Sequence, residues 1–349
     1  MAGIASMKNS ANLDVLRGVA VLLVLGSHST KMIFGRLTIA GRDIYKIGRL
    51  GVLFFFVHTC LVLMYSLERQ DISKNPISLS GHFYIRRIFR IYPLSVLMIA
   101  VITIFHIPSA HIGAHFIGGH KAHWKEIVAN LLLVQNVFYG NHILSSRWSL
   151  PWEVQMYVIL PVFYWLFARR GHLEALVLVW TIAAVLMLCG RVFLIQYFPA
   201  FVPGIIAYVL GSKVRRLVPA FVLPAFLAVL LVAYCAIPDE KWGRLVCLAL
   251  GVGLPFFREM SFRPLNQACH QVAKYSYGLY LTHTFCLWAC FEALRLDRAL
   301  GLIVYLFMLA TVTFFCYQYF EQPCISLGAR VADAIAGYRK KNVAVLAAP

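Results

Sequence analysis

Arg17 and His28 stand near opposite ends of an otherwise largely apolar run, LDVLRGVAVLLVLGSHS at 13–29. Eleven helical steps of about 100° would bring both side chains to nearly the same face, roughly 16 Å apart along the axis. Ionisable groups cost several kcal/mol in lipid, so they usually face a bundle interior or a wet cavity. A second set lies in FYIRRIFRIYP at 83–93, where Arg87 and Arg90 are three apart and share a helical face. The segment opens a span, and two guanidiniums side by side at a helix start suit phosphate groups, because each donates two parallel hydrogen bonds. The plainer readings are a snorkelling arginine, a histidine hydrogen-bonding between helices, and a positive-inside anchor.

Three further stretches carry polar groups among apolar ones. In SSRWSLPWEVQMYVILP, 145–161, Glu153 falls in the first turn of a span and is bracketed by Trp148, Trp152 and Tyr157. Such a carboxylate beside aromatics could orient a sugar or assist a base. It could equally be a first-turn acid favoured by the helix dipole within an interfacial aromatic belt. YSYGLYLTHTF, 275–285, places Tyr280 and His283 near the start of a long span, and YFEQP sets Glu321 before Pro323, a helix-stopping residue. His106, His111, His115, His120 and His123 are irregularly spaced with no Cys or Asp among them, so they read as a polar loop and no metal is expected.

The elements that must position these residues are membrane spans. The 349 residues are 61% hydrophobic and 13% charged, with a mean hydropathy of +0.75, whereas a soluble domain is nearer half apolar and a quarter charged. Apolar runs long enough to span recur at 13–34, 48–67, 88–107, 150–168, 174–190, 195–212, 217–237, 242–257, 277–295 and 299–320. The expected fold is an all-α polytopic membrane bundle of about ten transmembrane helices, with 130–138 as an eleventh, re-entrant or interfacial piece. The first span is too long to be a cleaved signal. The net charge of +18 falls between the apolar runs, where it meets anionic lipid headgroups, so no nucleic-acid partner is expected. Nine cysteines without a CxxC pair read as small hydrophobes. Arg330, Arg339, Lys340 and Lys341 favour a cytoplasmic C-terminus, and an even span count puts the N-terminus on the same side. The organisation read is an N-terminal segment 1–12, a transmembrane domain 13–328 and a basic tail 329–349.

Together these stretches resemble the acyltransferase-3 family of integral-membrane acyltransferases. Arg17-x10-His28 is similar to its basic-x10-His motif, and GRLGVLFFFVHTCLVL at 48–63 to its second-span run of glycine and phenylalanine. Arg87-x-x-Arg90 followed by IYPL resembles its RxxR motif, WSLPWEVQMY its W-S-L-x-x-E-x-x-F-Y segment, YSYGLYLTHT its S-Y-x-L-Y-L-x-H, and YFEQP its terminal E-x-P. The matches keep their order from residue 13 to about 328. His58-Thr59-Cys60, Pro151-Trp152 and Met156 depart from the pattern.

The resemblance implies transfer of a short acyl group, most often acetyl from acetyl-CoA, to a hydroxyl of a cell-surface or exported glycan, at a bacterial cytoplasmic membrane. A small metabolite such as a macrolide is the alternative acceptor. Arg17, Arg87 and Arg90 would hold the CoA phosphates, and His28 would act as general base or carry the acyl group itself. By position within matched motifs, Glu153 would be the second catalytic group and with Tyr157 would shape the acceptor end, and Trp148, Tyr280 and His283 would line the same cavity. The competing class is a proton-coupled transporter, since buried Arg, His and Glu also mark ion pathways; against it, no internal repeat is found.

Overall fold

All ten apolar runs become helices in a computed structural model that describes residues 10–35, 37–39, 42–43, 45–70, 75–107, 110–112, 115–117, 123–138, 143, 148–190, 196–236 and 239–346. The helices are α1 (Ala11–Phe34), α2 (Lys46–Gln70), α3 (Pro76–Ile104), α4 (Trp124–Leu131), α5 (Gln135–Phe138), α6 (Leu150–Phe163), α7 (Leu173–Leu188), α8 (Phe198–Lys213), α9 (Leu223–Ala236), α10 (Gly243–Gly253), α11 (Arg263–Trp288), α12 (Arg298–Cys316) and α13 (Gln322–Leu346). Residues 38–39 pair antiparallel with 42–43, and 110–112 with 115–117. By length and composition α1, α2, α3 and the continuous helix 298–335 can cross a membrane, while α7, α8 and 220–236 are shorter apolar helices. The protein is therefore a multi-pass helical membrane bundle.

α2 is its axis. Leu53, Phe54, Phe56, Val57, Cys60, Leu61 and Met64 are all buried, because α1, α6, α8, α9 and α10 pack round this helix. Lipid offers no hydrophobic drive between helices, so close approach through small residues does the work. A Cβ on Gly51 would lie 2.5 Å from the Ala20 carbonyl oxygen, and one on Gly204 would overlap the Val57 carbonyl oxygen. Gly204→Ala should therefore destabilise the bundle by about 1–3 kcal/mol, read as a lowered midpoint in thermal unfolding of the detergent-solubilised protein.

Contacts between helix ends show how the chain alternates. At one end Lys213 Nζ donates to the Gly171 carbonyl (2.7 Å), Val218 bridges Phe257, and Glu259 accepts from Ser10 (2.9 Å) and pairs with Arg216 (2.6 Å). At the other end Arg49 pairs with Glu240, and Arg244 donates to the Gln196 carbonyl (3.1 Å). The beginning of α1 lies at the first end and the beginning of α2 at the second.

Three expectations change, and a fourth loses one of its alternatives, the eleventh span. α3 starts at Pro76, capped by Asn75, whose side chain accepts from Ile77 N–H (3.0 Å), so Arg87 and Arg90 lie in a helix interior and not at its start. α11 starts at Arg263 with a proline in its first turn, which puts Tyr280 and His283 in its second half and not near its start. Pro323 does not stop the chain: a π-helical turn, Tyr317–Glu321, precedes it, and α13 continues. A proline needs no N–H in a helix's first turn, and the widened turn accommodates the ring. Finally, 130–138 forms parts of α4 and α5, eight and four residues long and too short to cross. His120 and residues 1–9 lie outside the described residues, as do the side chains of His111, His115 and Arg339 to Lys341.

Candidate functional site

Three cavities follow one another along the face that α1 turns inward. The first, about 440 Å³, opens beside the start of α1 and is lined by Asp14, Arg17, Arg90, His270, Lys274 and Tyr317. The second is a narrow chamber of about 60 Å³ lined by Arg17, Val52, Thr59, Ser149, Glu153 and Tyr280 among others. The third, about 550 Å³, lies toward the end of α1 and includes His28, Lys31, Tyr45, Arg49, Trp148, Glu240, Val52 and Tyr280. Arg17 belongs to the first and second, and Val52 and Tyr280 to the second and third. The cavities therefore share walls from one end of α1 to the other.

The 3.6-residue period of α1 makes this possible: Arg17 and His28 point the same way, three turns apart. α3 brings Arg90 within electrostatic reach of Arg17, with Arg87 beside Arg90, and α6 brings its first-turn Glu153 within electrostatic reach of all three guanidiniums. Tyr157, one turn on, donates to Glu153 Oε1, and Thr59 of α2 donates to the same oxygen (3.4 Å). Nε of Arg17 and of Arg87 is buried with no hydrogen-bond partner, so this centre presents N–H groups that an anion could satisfy. The departure at His58 falls here too. Its ring is buried within electrostatic reach of Arg17 and Arg90.

The far cavity has a different chemistry. His28 Nδ1 lies 3.3 Å from the Tyr45 hydroxyl, and its ring meets His283 edge-on with centroids 5.0 Å apart. His283 Nδ1 donates to the Tyr280 carbonyl (2.7 Å), which fixes that tautomer. The Tyr280 hydroxyl is bonded to Ser149 Oγ (2.8 Å). Trp148 lies under the Arg49 guanidinium, 5.5 Å from its ring, so the wall combines aromatic faces with charge.

Sequence reasoning thus names two groups of neighbours. His28, Trp148 and Tyr280 line one cavity, with His283 buried against the His28 ring, and Arg17, Arg87, Arg90, Glu153 and Tyr157 form the other centre. Glu153 and Tyr157, assigned to the acceptor end by motif position, sit with the arginines. Tyr45, Ser149 and Lys274 went unmentioned as site residues. Ser149 lies inside the matched W-S-L segment and could have been found there, whereas Tyr45 comes from a loop with no local signal. Among the described residues, no group of three or more His, Cys, Asp or Glu could hold a metal.

The family model described as an acyltransferase domain matches residues 10–320, a stretch that contains every residue of both groups. The chain belongs to the acyltransferase-3 family. No curated protein and no solved structure gives a match. Membership makes this a multi-pass membrane acyltransferase, and both centres lie within its matched domain. The acyltransferase's Ser149–Tyr280 bond spans the wall between chamber and far cavity. Ser149→Ala should cost about 1–3 kcal/mol of local stability, because it strands a buried hydroxyl. Transfer should fall with it, checked by comparing kcat of Ser149→Ala and Tyr280→Phe, whose losses should not add.

Proposed function

We propose that this acyltransferase moves an acetyl or other short acyl group from cytoplasmic acyl-CoA to a hydroxyl of a cell-surface or exported glycan. The single observation that carries the reading is the succession of cavities from the arginine centre to His28. Ten helices would cross a bacterial cytoplasmic membrane (α1, α2, α3 and α6 to α12), with α4 and α5 inserted without crossing. The alternating helix ends support an even count with both termini on the cytoplasmic side, the side of Arg17.

The residues present fit a phosphate-bearing donor. Arg17, Arg90, Lys274 and His270 against the single carboxylate Asp14 line the first cavity, and buried guanidinium N–H groups lie behind it. Arg17, Arg87 and Arg90 would hold phosphate oxygens by charge-assisted hydrogen bonds, with Lys274, over the Tyr275 and Tyr317 rings, as a fourth cation. Acyl-CoA supplies a thioester carbonyl that is already electrophilic. The roughly 16 Å between Arg17 and His28 is comparable with the reach of an extended pantetheine arm, and the narrow chamber excludes bulk water from that route. His28 takes the proton of the acceptor hydroxyl as its oxygen bonds to the acyl carbon, and returns it to the sulfur as the C–S bond breaks. Tyr45 and His283 orient the ring. Trp148 and Tyr45 offer apolar faces to a sugar.

CoA release from acetyl-CoA by purified protein in nanodiscs, with mixed bacterial glycans or macrolides offered, tests the reaction class. Release that depends on glycan supports the reading. Release only with macrolides moves the acceptor to a small metabolite, and absence of both binding and release favours a transporter.

A further inference from the structure

Glu321 is the buried acid for which the scheme above has no use. It is 2% exposed, and neither carboxylate oxygen has a hydrogen-bond partner. Several features hold it in place despite that cost. It is the last residue of the π-helical turn Tyr317–Glu321 between α12 and α13, and such turns re-aim side chains at functional sites. Gly278 of α11 makes room for it, since a Cβ there would stand 2.9 Å from Glu321 Oε1 and 3.0 Å from Thr313 Cγ2. The π-helical turn packs on α3, its Tyr317 lines the first cavity with Arg17 and Arg90, and the charges that reach Glu321 are Arg90, first, and Arg17.

We propose that Glu321 is the internal counter-charge of the donor site, a carboxylate that weakens the arginines' hold on phosphate so that spent CoA can leave. This rests on the donor assignment made above. Arg17, Arg87 and Arg90 place three positive charges where Glu153, and Asp14 at the cavity mouth beside Arg17, would offset two. Glu153 is engaged by Tyr157 and Thr59, whereas Glu321 bonds to no neighbour and acts only through its field. A carboxylate that clamped Arg90 would hydrogen-bond to it, and this one does not. In a setting of effective dielectric ~20, one unit charge roughly 12 Å away, on the far side of the arginines from the phosphates, changes an ion's affinity by on the order of tenfold.

Equilibrium binding of acetyl-CoA and of CoA to the full-length protein, wild type against Glu321→Gln and Glu321→Asp, tests this. Glu321→Gln should bind both ligands on the order of tenfold more tightly and be inhibited by CoA at correspondingly lower concentration. Glu321→Asp, which keeps the charge, should stay near wild type. Damage to the fold would weaken binding, so tightening is a signature that a structural role cannot produce. Glu321→Gln affinity equal to or weaker than wild type would overturn the proposal, as would an equal gain in Glu321→Asp. If instead Arg90→Ala and wild type bound acetyl-CoA equally, the donor assignment itself would be at fault.

Discussion

Replacing His28 with alanine should lower acyl transfer by roughly 10²- to 10⁴-fold, with acetyl-CoA affinity left within about twofold of wild type. His28 lies near the far end of α1, three helical turns from Arg17, so its loss does not touch the arginine centre. Its ring neighbours are Tyr45 and His283, both already supported by other contacts, and the ring borders a cavity of about 550 Å³. The folded state should therefore survive, as judged by thermal unfolding. Steady-state kinetics with both substrates varied separate the effects: kcat should fall while the KM for acetyl-CoA holds. A His28→Ala protein with normal kcat, or one that loses donor binding as well, would remove His28 as the base.

The Arg87→Ala/Arg90→Ala double variant should do the opposite. Hydrogen bonds to charged groups contribute about 1.5–3 kcal/mol each, and effects within one cluster do not add fully. A rise of about 10²-fold in the KM for acetyl-CoA is expected, with a smaller change in kcat at saturating donor. Arg90→Lys should not restore it, because an ammonium lacks the planar fork that two phosphate oxygens require. Glu153 complicates the reading in a useful way, since it would lose two of its three cationic neighbours. Adding Glu153→Gln to the double variant should therefore recover part of any lost stability without recovering donor affinity. If the double variant kept wild-type KM, the phosphates would have to bind elsewhere.

Apolar runs of span length are a strong sequence signal, and all ten form helices, of which α1, α2, α3 and the continuous helix 298–335 are long and apolar enough to cross a membrane among the described residues. Helix starts were less legible. Asn75-Pro76 and Pro264 begin α3 and α11 well outside the apolar runs, so the polar first turns escaped a reading based on hydropathy. The helix period placed Arg17 with His28 and Arg87 with Arg90, because those pairs are local. Which pair Glu153 and Tyr157 join is a question of tertiary contact between α6, α1 and α3, and motif order carries no such information. Glu321 shows the same limit. The YFEQP stretch suggests a helix stop, and only the packed structure reveals a π-helical turn that aims the carboxylate inward past Gly278.

Acyl transfer across a sealed membrane tests the central claim most directly. The protein would be reconstituted in vesicles with labelled acetyl-CoA on the side of Arg17 and bacterial surface polysaccharides on the side of His28. The account predicts label on polysaccharide across the bilayer, abolished by His28→Ala, and none when donor is supplied only on the His28 side. Label on polysaccharide only when donor and acceptor share one side would contradict it.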